Sequence, residues 1–169
     1  MKLGARQIVP PSDIPNVGRF AVLQDPTGGN TSIFQPGQHK GLSNFGPVGT
    51  FCWADFNTPD AEKAARFYSE WLGWTIDAGK DGYRHIQNGA SHDDMIGGIP
   101  NQFHAPQGTP AHWICYFHVA DCKASAAKAA QAGASTILPA ELMKDVGTIA
   151  VLMDPQGAAF ALFQESERR

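Results

Sequence analysis

Between Gly49 and Trp74 the chain reads GTFCWADFNTPDAEKAARFYSEWLGW. Its opening, Thr50–Phe56, is rich in aromatic residues and separates Trp53, Asp55 and Asn57 from Cys52, Ala54 and Phe56 on the two faces of a strand. The continuation carries helix signals. Thr58 can cap, Pro59 suits the first position, Asp60 and Glu62 complement the positive end of the dipole, and Gly73 suits the exit. Ala64, Phe67, Tyr68, Trp71 and Leu72 give that helix one apolar face. The stretch therefore predicts a strand running straight into an amphipathic helix.

The pattern recurs about 60 residues on, where Ala111–Val119 reads as a strand and an alanine-rich helix runs from Asp121 through Lys123–Ala132 to Gly133. Each helix is followed by short strand-like runs: Trp74–Asp77, Tyr83–Gln87 and Met95–Ile99 after the first, Ser135–Leu138, Thr148–Met153 and Ala158–Gln164 after the second. Asn101–Thr109, with Pro106, Gly108 and nearby Pro110, reads as the linker between them. From about Val48 the expected order is strand, helix, three strands, twice over.

A second repeat reaches the other end of the chain. Gly4–Gln35 aligns without a gap on Gly133–Gln164, matching Val17-Gly18 with Val146-Gly147, Ala21-Val22-Leu23 with Ala150-Val151-Leu152, and Asp25-Pro26 with Asp154-Pro155. Each copy offers a β-rich run, an Asp-Pro-x-Gly turn and another run, so a hairpin over Arg19–Leu23 and Thr31–Gln35 is expected at the N-terminus.

Composition narrows the function classes. With 169 residues and 43% hydrophobic content the chain can bury a core, and a formal charge of -3 with scattered signs gives no reason to expect nucleic acid as a partner. No apolar run reaches the roughly 20 residues of a membrane span, and the first residues lack the apolar part of a signal peptide, so a cytoplasmic protein without membrane association is expected. Cys52, Cys115 and Cys122 are odd in number and lack metal-finger spacing, which reads as reduced packing thiols.

The strand ending Asn57-Thr58-Pro59-Asp60, the run Ala64-Ala65-Arg66-Phe67-Tyr68, Trp71-Leu72-Gly73-Trp74, and the ending Val146-Gly147 through Asp154-Pro155-Gln156-Gly157 to Phe160–Gln164 resemble the vicinal-oxygen-chelate superfamily of glyoxalases, bleomycin-resistance proteins and extradiol dioxygenases. The resemblance covers roughly Val48–Gln164. It implies an α+β fold in which paired βαβββ modules form a half-open barrel, with modules at about 48–100 and 110–165 inside a domain spanning 48–169. Residues 1–47 then form a partial module, a hairpin extension left over from a preceding domain, which either caps the domain's own sheet or joins another subunit in a homo-oligomer such as a dimer.

Many members of the superfamily hold a divalent metal with a His, Gln or Glu on each opening strand and a Glu on each closing strand. The family spacing places Trp53 and Ile114 at the opening positions and Ala161 at a closing one, so no metal or other cofactor is expected there. His112, His118, Asp55, His92, Asp93 and Asp94 remain as scattered donors, although His112 and His118 stand about 20 Å apart along one strand at roughly 3.3 Å per residue. Alternation puts His112, Ile114, Tyr116 and His118 on one face and the apolar Trp113, Cys115, Phe117 and Val119 on the other.

The expected ligand-binding residues are Trp53, Asp55, Asn57, His112, Ile114, Tyr116, His118 and Asp93, with Asp55 and His118 as the catalytic candidates if there is catalysis. Asp55 could be a general base or hydrogen-bond acceptor, or simply a polar residue satisfied by Tyr116 or His118. His92-Asp93-Asp94 has a solvated turn as its plainer reading, and His39, His85 and His104 read as surface residues from their polar settings. The leading expectation is a small-molecule-binding protein, of the glyoxalase and bleomycin-resistance type, that takes a small organic ligand without the usual metal. The alternatives are a glyoxalase-like lyase, isomerase, hydrolase or dioxygenase with an atypical metal or Asp55 as base, and an interaction module assembling through the N-terminal hairpin.

Overall fold

A computed structural model describes residues 2–91, 94–101 and 108–166. Among them the elements run β1 (Arg6–Ile14), β2 (Gly18–Gln24), β3 (Asn30–Pro36), β4 (Phe51–Asn57), α1 (Ala61–Leu72), β5 (Thr75–Ala78), β6 (Arg84–Gln87) and β7 (Met95–Ile99). They continue with β8 (His112–His118), α2 (Cys122–Gln131), β9 (Ser135–Met143), β10 (Gly147–Met153) and β11 (Ala159–Glu165). This is a mixed α+β fold with a three-stranded sheet, β1-β2-β3, and an eight-stranded sheet ordered β5-β6-β7-β4-β8-β11-β10-β9; neither closes into a barrel among the described residues. No described helix is long and apolar enough to cross a membrane.

The chain divides into two compact units. Unit 1 comprises Met1–Ser43 and Asp55–Trp113, and unit 2 comprises Asn44–Ala54 and Ile114–Arg169, so the division passes through β4 and β8.

In unit 1, α1 starts at Asp60 rather than at the predicted Thr58. The Asp60 carboxylate accepts from the Lys63 N–H at 2.9 Å, and the Thr58 hydroxyl only steadies the Asp60 N–H from two residues before it. A carboxylate three residues before a free helical N–H is the better cap, and Pro59 is left just outside the helix. At the far end Gly73 takes φ 72° and gives its N–H to the Ser69 carbonyl. Between these ends α1 buries Ala64, Phe67 and Tyr68 against Phe56, Ile86 and Ile99. Arg84, next to Ile86, reaches up to Glu62 on the helix at 3.0 Å.

The predicted N-terminal hairpin is present as β2 and β3, and β1 joins it as a third strand that the sequence reading did not foresee. Pro10 and Pro11 hid it. Both lie on an edge strand, where a missing N–H breaks no ladder bond, and the pairing with β2 slips between Gln7 and Ser12. The same cause hid the far half of β9, which continues past Leu138 through Pro139 to Met143, also on an edge. The Asp25 end of this meander is tied into the unit 1 core. The Tyr68 phenol donates to the Asp25 carboxylate at 2.9 Å, the Thr31 hydroxyl lies 2.7 Å from the same phenol, and the Trp113 indole donates to Thr31 at 3.0 Å. Asp25 and Tyr68 are buried, and burial holds the phenol's pKa above the ordinary tyrosine value.

In unit 2, Asp121 caps α2 by accepting from the Ala124 N–H at 2.9 Å. Its alanines let it lie close on the sheet, where Cys122, Ala126 and Ala129 meet Ala150, Leu152 and Leu162. The N-terminal repeat is carried into three dimensions. In the gapless alignment β1, β2 and β3 coincide residue for residue with β9, β10 and β11, and the turns match to the left-handed residues Asn16 (φ 62°) and Asp145 (φ 63°). Asp25 and Asp154 both accept two N–H groups of their own turns, Thr27 and Gly29 in one, Gln156 and Ala158 in the other.

Candidate functional site

The sheet of unit 2 has one face under α2 and one turned away from it. Ile149, Val151 and Ala161 alternate with the helix-facing Ala150, Leu152 and Leu162, and they gather with Ile114, Tyr116 and Phe163 and with Cys52 and Trp53 of β4 into a separate apolar cluster. Ile114 is 8% exposed, Tyr116 9% and Ala161 0%. Trp53 and Ile114 thus stand together in this cluster, as alternation predicted, whereas Cys52, which alternation put on the opposite face of β4, packs against the same cluster. Ala161 lies beside Tyr116 in the parallel ladder of β11 and β8.

This chemistry does not fit the superfamily's usual metal site. An indole offers a cation no lone pair, and the side chains of isoleucine and alanine offer none either, so Trp53, Ile114 and Ala161 cannot serve as ligands at the positions the resemblance assigns to donors. Among the described residues no three His, Cys, Asp or Glu side chains come together in a way that could hold an ion. Cys52, beside Trp53, has its thiol pushed up to about 11 by burial, and burial also raises Cys115 and Cys122. Such thiols are suited to packing rather than to ligation as thiolates.

His118 closes β8. Its Nδ1 lies 2.6 Å from the Gly46 carbonyl, its backbone bonds to Thr50 and Gly49, and its ring leans on Phe163 at 5.8 Å. A carbonyl only accepts, so Nδ1 carries the hydrogen and Nε2 is the accepting atom of the neutral ring. His118 thereby anchors the segment that leads into β4.

Unit 1 carries the polar candidates. Asp55 is 4% exposed, and its carboxylate accepts from the Tyr83 phenol at 2.5 Å. The sequence had offered Tyr116 or His118 as its partner, and Tyr83 had not been singled out. Three adjacent strands bring the group together: Gly98 of β7 pairs with Asp55 on one side and with His85 of β6 on the other. A Cβ on Gly98 would collide with the Tyr83 ring, so the glycine is what lets that ring cross the sheet to Asp55. His85 stands edge-on to Tyr83 with ring centroids 4.9 Å apart. It is half-buried, which corrects its reading as a surface residue. The signal was there in Tyr83-Arg84-His85-Ile86: Ile86 and Arg84 turn toward α1, so alternation sends Tyr83 and His85 to the other face.

The remaining candidates are dispersed. Asn57 is half-buried at the end of β4, and His112 is half-buried with Nδ1 2.9 Å from the Pro110 carbonyl. Asp94 holds a turn, accepting from the Ser91 N–H at 2.8 Å, and that backbone bond keeps its carboxyl below the usual range. His92, Asp93 and His104 lie outside the described residues.

Comparison with known proteins places the chain in a family. Residues 53–163 match the glyoxalase-like domain family. A protein of Mycobacterium tuberculosis (strain CDC 1551 / Oshkosh) with the provisional name glyoxylase CFP32 is 35% identical over 171 residues, covering 98% of this chain and 63% of its own length. The anthracycline biosynthesis protein DauV of Streptomyces sp. (strain C5) is 30% identical, with 97% of this chain and 59% of DauV covered. The chain therefore spans about three fifths of these relatives. Among solved structures, the Mn(II)-bound glyoxalase from Novosphingobium aromaticivorans superposes with a TM-score of 0.62 at 14% identity, covering 98% of this chain and 56% of that one. The 2,3-dioxygenase LapB from Pseudomonas sp. KL28 gives 0.59 at 13% identity, covering 99% and 65%. At that identity the likeness is one of fold.

Proposed function

We propose, from the premise that this chain belongs to the glyoxalase-like family, that it binds a small, flat, largely apolar organic molecule and does so without the family's usual metal. The observation that carries the proposal is the pair Ile114 and Ala161, flanking Tyr116 on the sheet face away from α2, where the resemblance leads one to expect metal donors. With Trp53 alongside, this face can bury apolar surface and stack on a ring, and the side chains of Trp53, Ile114 and Ala161 offer no lone pair to a cation. The name of DauV is in keeping with such a ligand, since an anthracycline is a flat fused-ring compound.

Apolar area removed from water is worth roughly 25 cal/mol per Å², so a ring stacked on the partly exposed Trp53, over a floor shaped by the buried Ile114, can gain affinity without charge. The test is binding of naphthalene, as a neutral aromatic probe, to the wild type and to Trp53→Ala and Ile114→Ala proteins, with circular dichroism to verify the fold. The reading expects binding by the wild type and a loss of roughly tenfold or more in each folded variant. Wild-type protein that binds no such probe, or variants that bind it equally well, would remove the basis for the proposal.

A further inference from the structure

The structure assigns an interaction surface to the outer edge of β3, and we infer that its occupant is a second copy of this chain, whose own β3 pairs with it antiparallel. The surface lies in unit 1 and uses no residue of the apolar face of unit 2, so it goes beyond the reading proposed above. Among the described residues β3 pairs with β2 on one side, and no strand follows on the other.

The repeat shows what such an edge accommodates. β3 matches β11 residue for residue, and β11 carries β8 on the corresponding edge, where the Phe163 carbonyl accepts from the Val119 N–H at 2.8 Å. Phe34 is the counterpart of Phe163. Two bonds that bracket β3 fix the direction of its backbone groups: the Gly29 carbonyl accepts from the Asp25 N–H, and the Gly37 N–H donates to the Val17 carbonyl, both on the β2 side. The ladder between them runs without a slip, so alternation turns the backbone of Thr31, Ile33 and Gln35 toward β2 and that of Asn30, Ser32 and Phe34 outward. The side chains differ between the copies as well. Ile33 is 39% exposed, while its counterpart Leu162 is 7% exposed beneath α2.

The two edges of the N-terminal sheet are not alike. β1 carries Pro10 and Pro11 and its ladder slips twice, and its counterpart β9, also an edge, carries Pro139 and slips as well; these are devices by which an edge avoids further pairing. β3 has neither a slip nor a proline before its last residue, Pro36, and it contains no charged side chain. That last property favours a second copy. A two-fold axis at Ile33 sets Ser32 against Phe34, Thr31 against Gln35 and Ile33 against its twin. The outward backbone groups then exchange hydrogen bonds, the exposed isoleucines cover one another, and no like charges face each other across the pair.

The experiment is analytical ultracentrifugation of the chain over a range of concentrations. One strand edge is a small interface, so a dimer with a dissociation constant of roughly 1–100 µM is expected. Ser32→Pro deletes an outward N–H without touching the ladder to β2, and Ile33→Lys sets two cations against each other. Each should weaken the dimer by at least about tenfold, and the lysine variant serves where circular dichroism shows that the proline variant does not fold. Ile8→Lys, the same change at an exposed isoleucine of β1, should leave the dimer intact. Amide exchange followed by NMR should find the Ser32 and Phe34 N–H groups slowed in the dimeric wild type and fast in Ile33→Lys. A wild type that stays a single chain up to about 1 mM would overturn the inference and leave the edge to a strand of another protein. A dimer that survives both β3 substitutions, that Ile8→Lys abolishes, or in which the Ser32 and Phe34 amides exchange fast would overturn it too.

Discussion

Two three-strand rows of the large sheet show how one scaffold carries two chemistries. In unit 1 the row His85, Gly98, Asp55 spans β6, β7 and β4; in unit 2 the row Val151, Ala161, Tyr116 spans β10, β11 and β8. Each row lies on the face away from the helix of its own unit, and each pairs the closing strand in parallel with the opening strand of its module. The side chains differ entirely. One row holds a buried carboxylate with a phenol drawn over a glycine, and the other is filled with apolar atoms. Backbone pattern fixes where the row is, and the side chains alone decide whether it presents a carboxylate or apolar atoms.

The harshest way to break the contrast is to move charge into the apolar row. Ala161 is 0% exposed, so Ala161→Glu is expected to cost on the order of 3–5 kcal/mol in urea unfolding, or to prevent folding altogether. A cost below about 1 kcal/mol would mean that the row has room and partners for a carboxylate, contrary to its apolar reading.

Next in size is Gly98→Ala in the polar row. The added methyl meets the Tyr83 ring and forces it off Asp55, with an expected cost of about 2–3 kcal/mol. Tyr83→Ala should relieve the collision, so the double variant is expected to be less unstable than the sum of the two singles. Additive costs would mean that ring and glycine do not touch.

Unit 1 also has a second buried carboxylate, Asp25, whose other oxygen receives the Tyr68 phenol in addition to the two turn N–H groups that it accepts just as its counterpart Asp154 does in unit 2. Tyr68→Phe should therefore destabilise by roughly 1–3 kcal/mol through the group left unsatisfied. The smallest effects should be equal in the two units: Asp60→Ala and Asp121→Ala each remove one helix cap and should each cost about 1 kcal/mol. Equal cap costs beside unequal row costs would place the difference in the side chains rather than in the scaffold.

Much of the scaffold was legible in the residues. Asp121, Gly73 and the apolar stripe Ala64, Phe67 and Tyr68 are local signals, and both helices came out nearly in place; the repeat of Asp25-Pro26 at Asp154-Pro155 located two hairpins. Strand β1 and the end of β9 were obscured because proline lowers strand propensity without regard to whether the strand is an edge, and only the three-dimensional order shows that both are. The facing of side chains was legible strand by strand. Alternation placed Trp53, Ile114 and Tyr116 together. It did not yield Tyr83, because the bond to Asp55 depends on which strands become neighbours and on a glycine on a third strand, and no local pattern encodes that.

The central claim is that the positions where the family carries metal donors cannot hold an ion in this chain. The direct measurement is the metal content of this 169-residue chain, prepared without chelators, by inductively coupled plasma mass spectrometry. Divalent metal well below one ion per chain, unchanged after dialysis against Mn²⁺ and then against metal-free buffer, is the predicted result. One tightly held divalent ion per chain that survives the dialysis would contradict it.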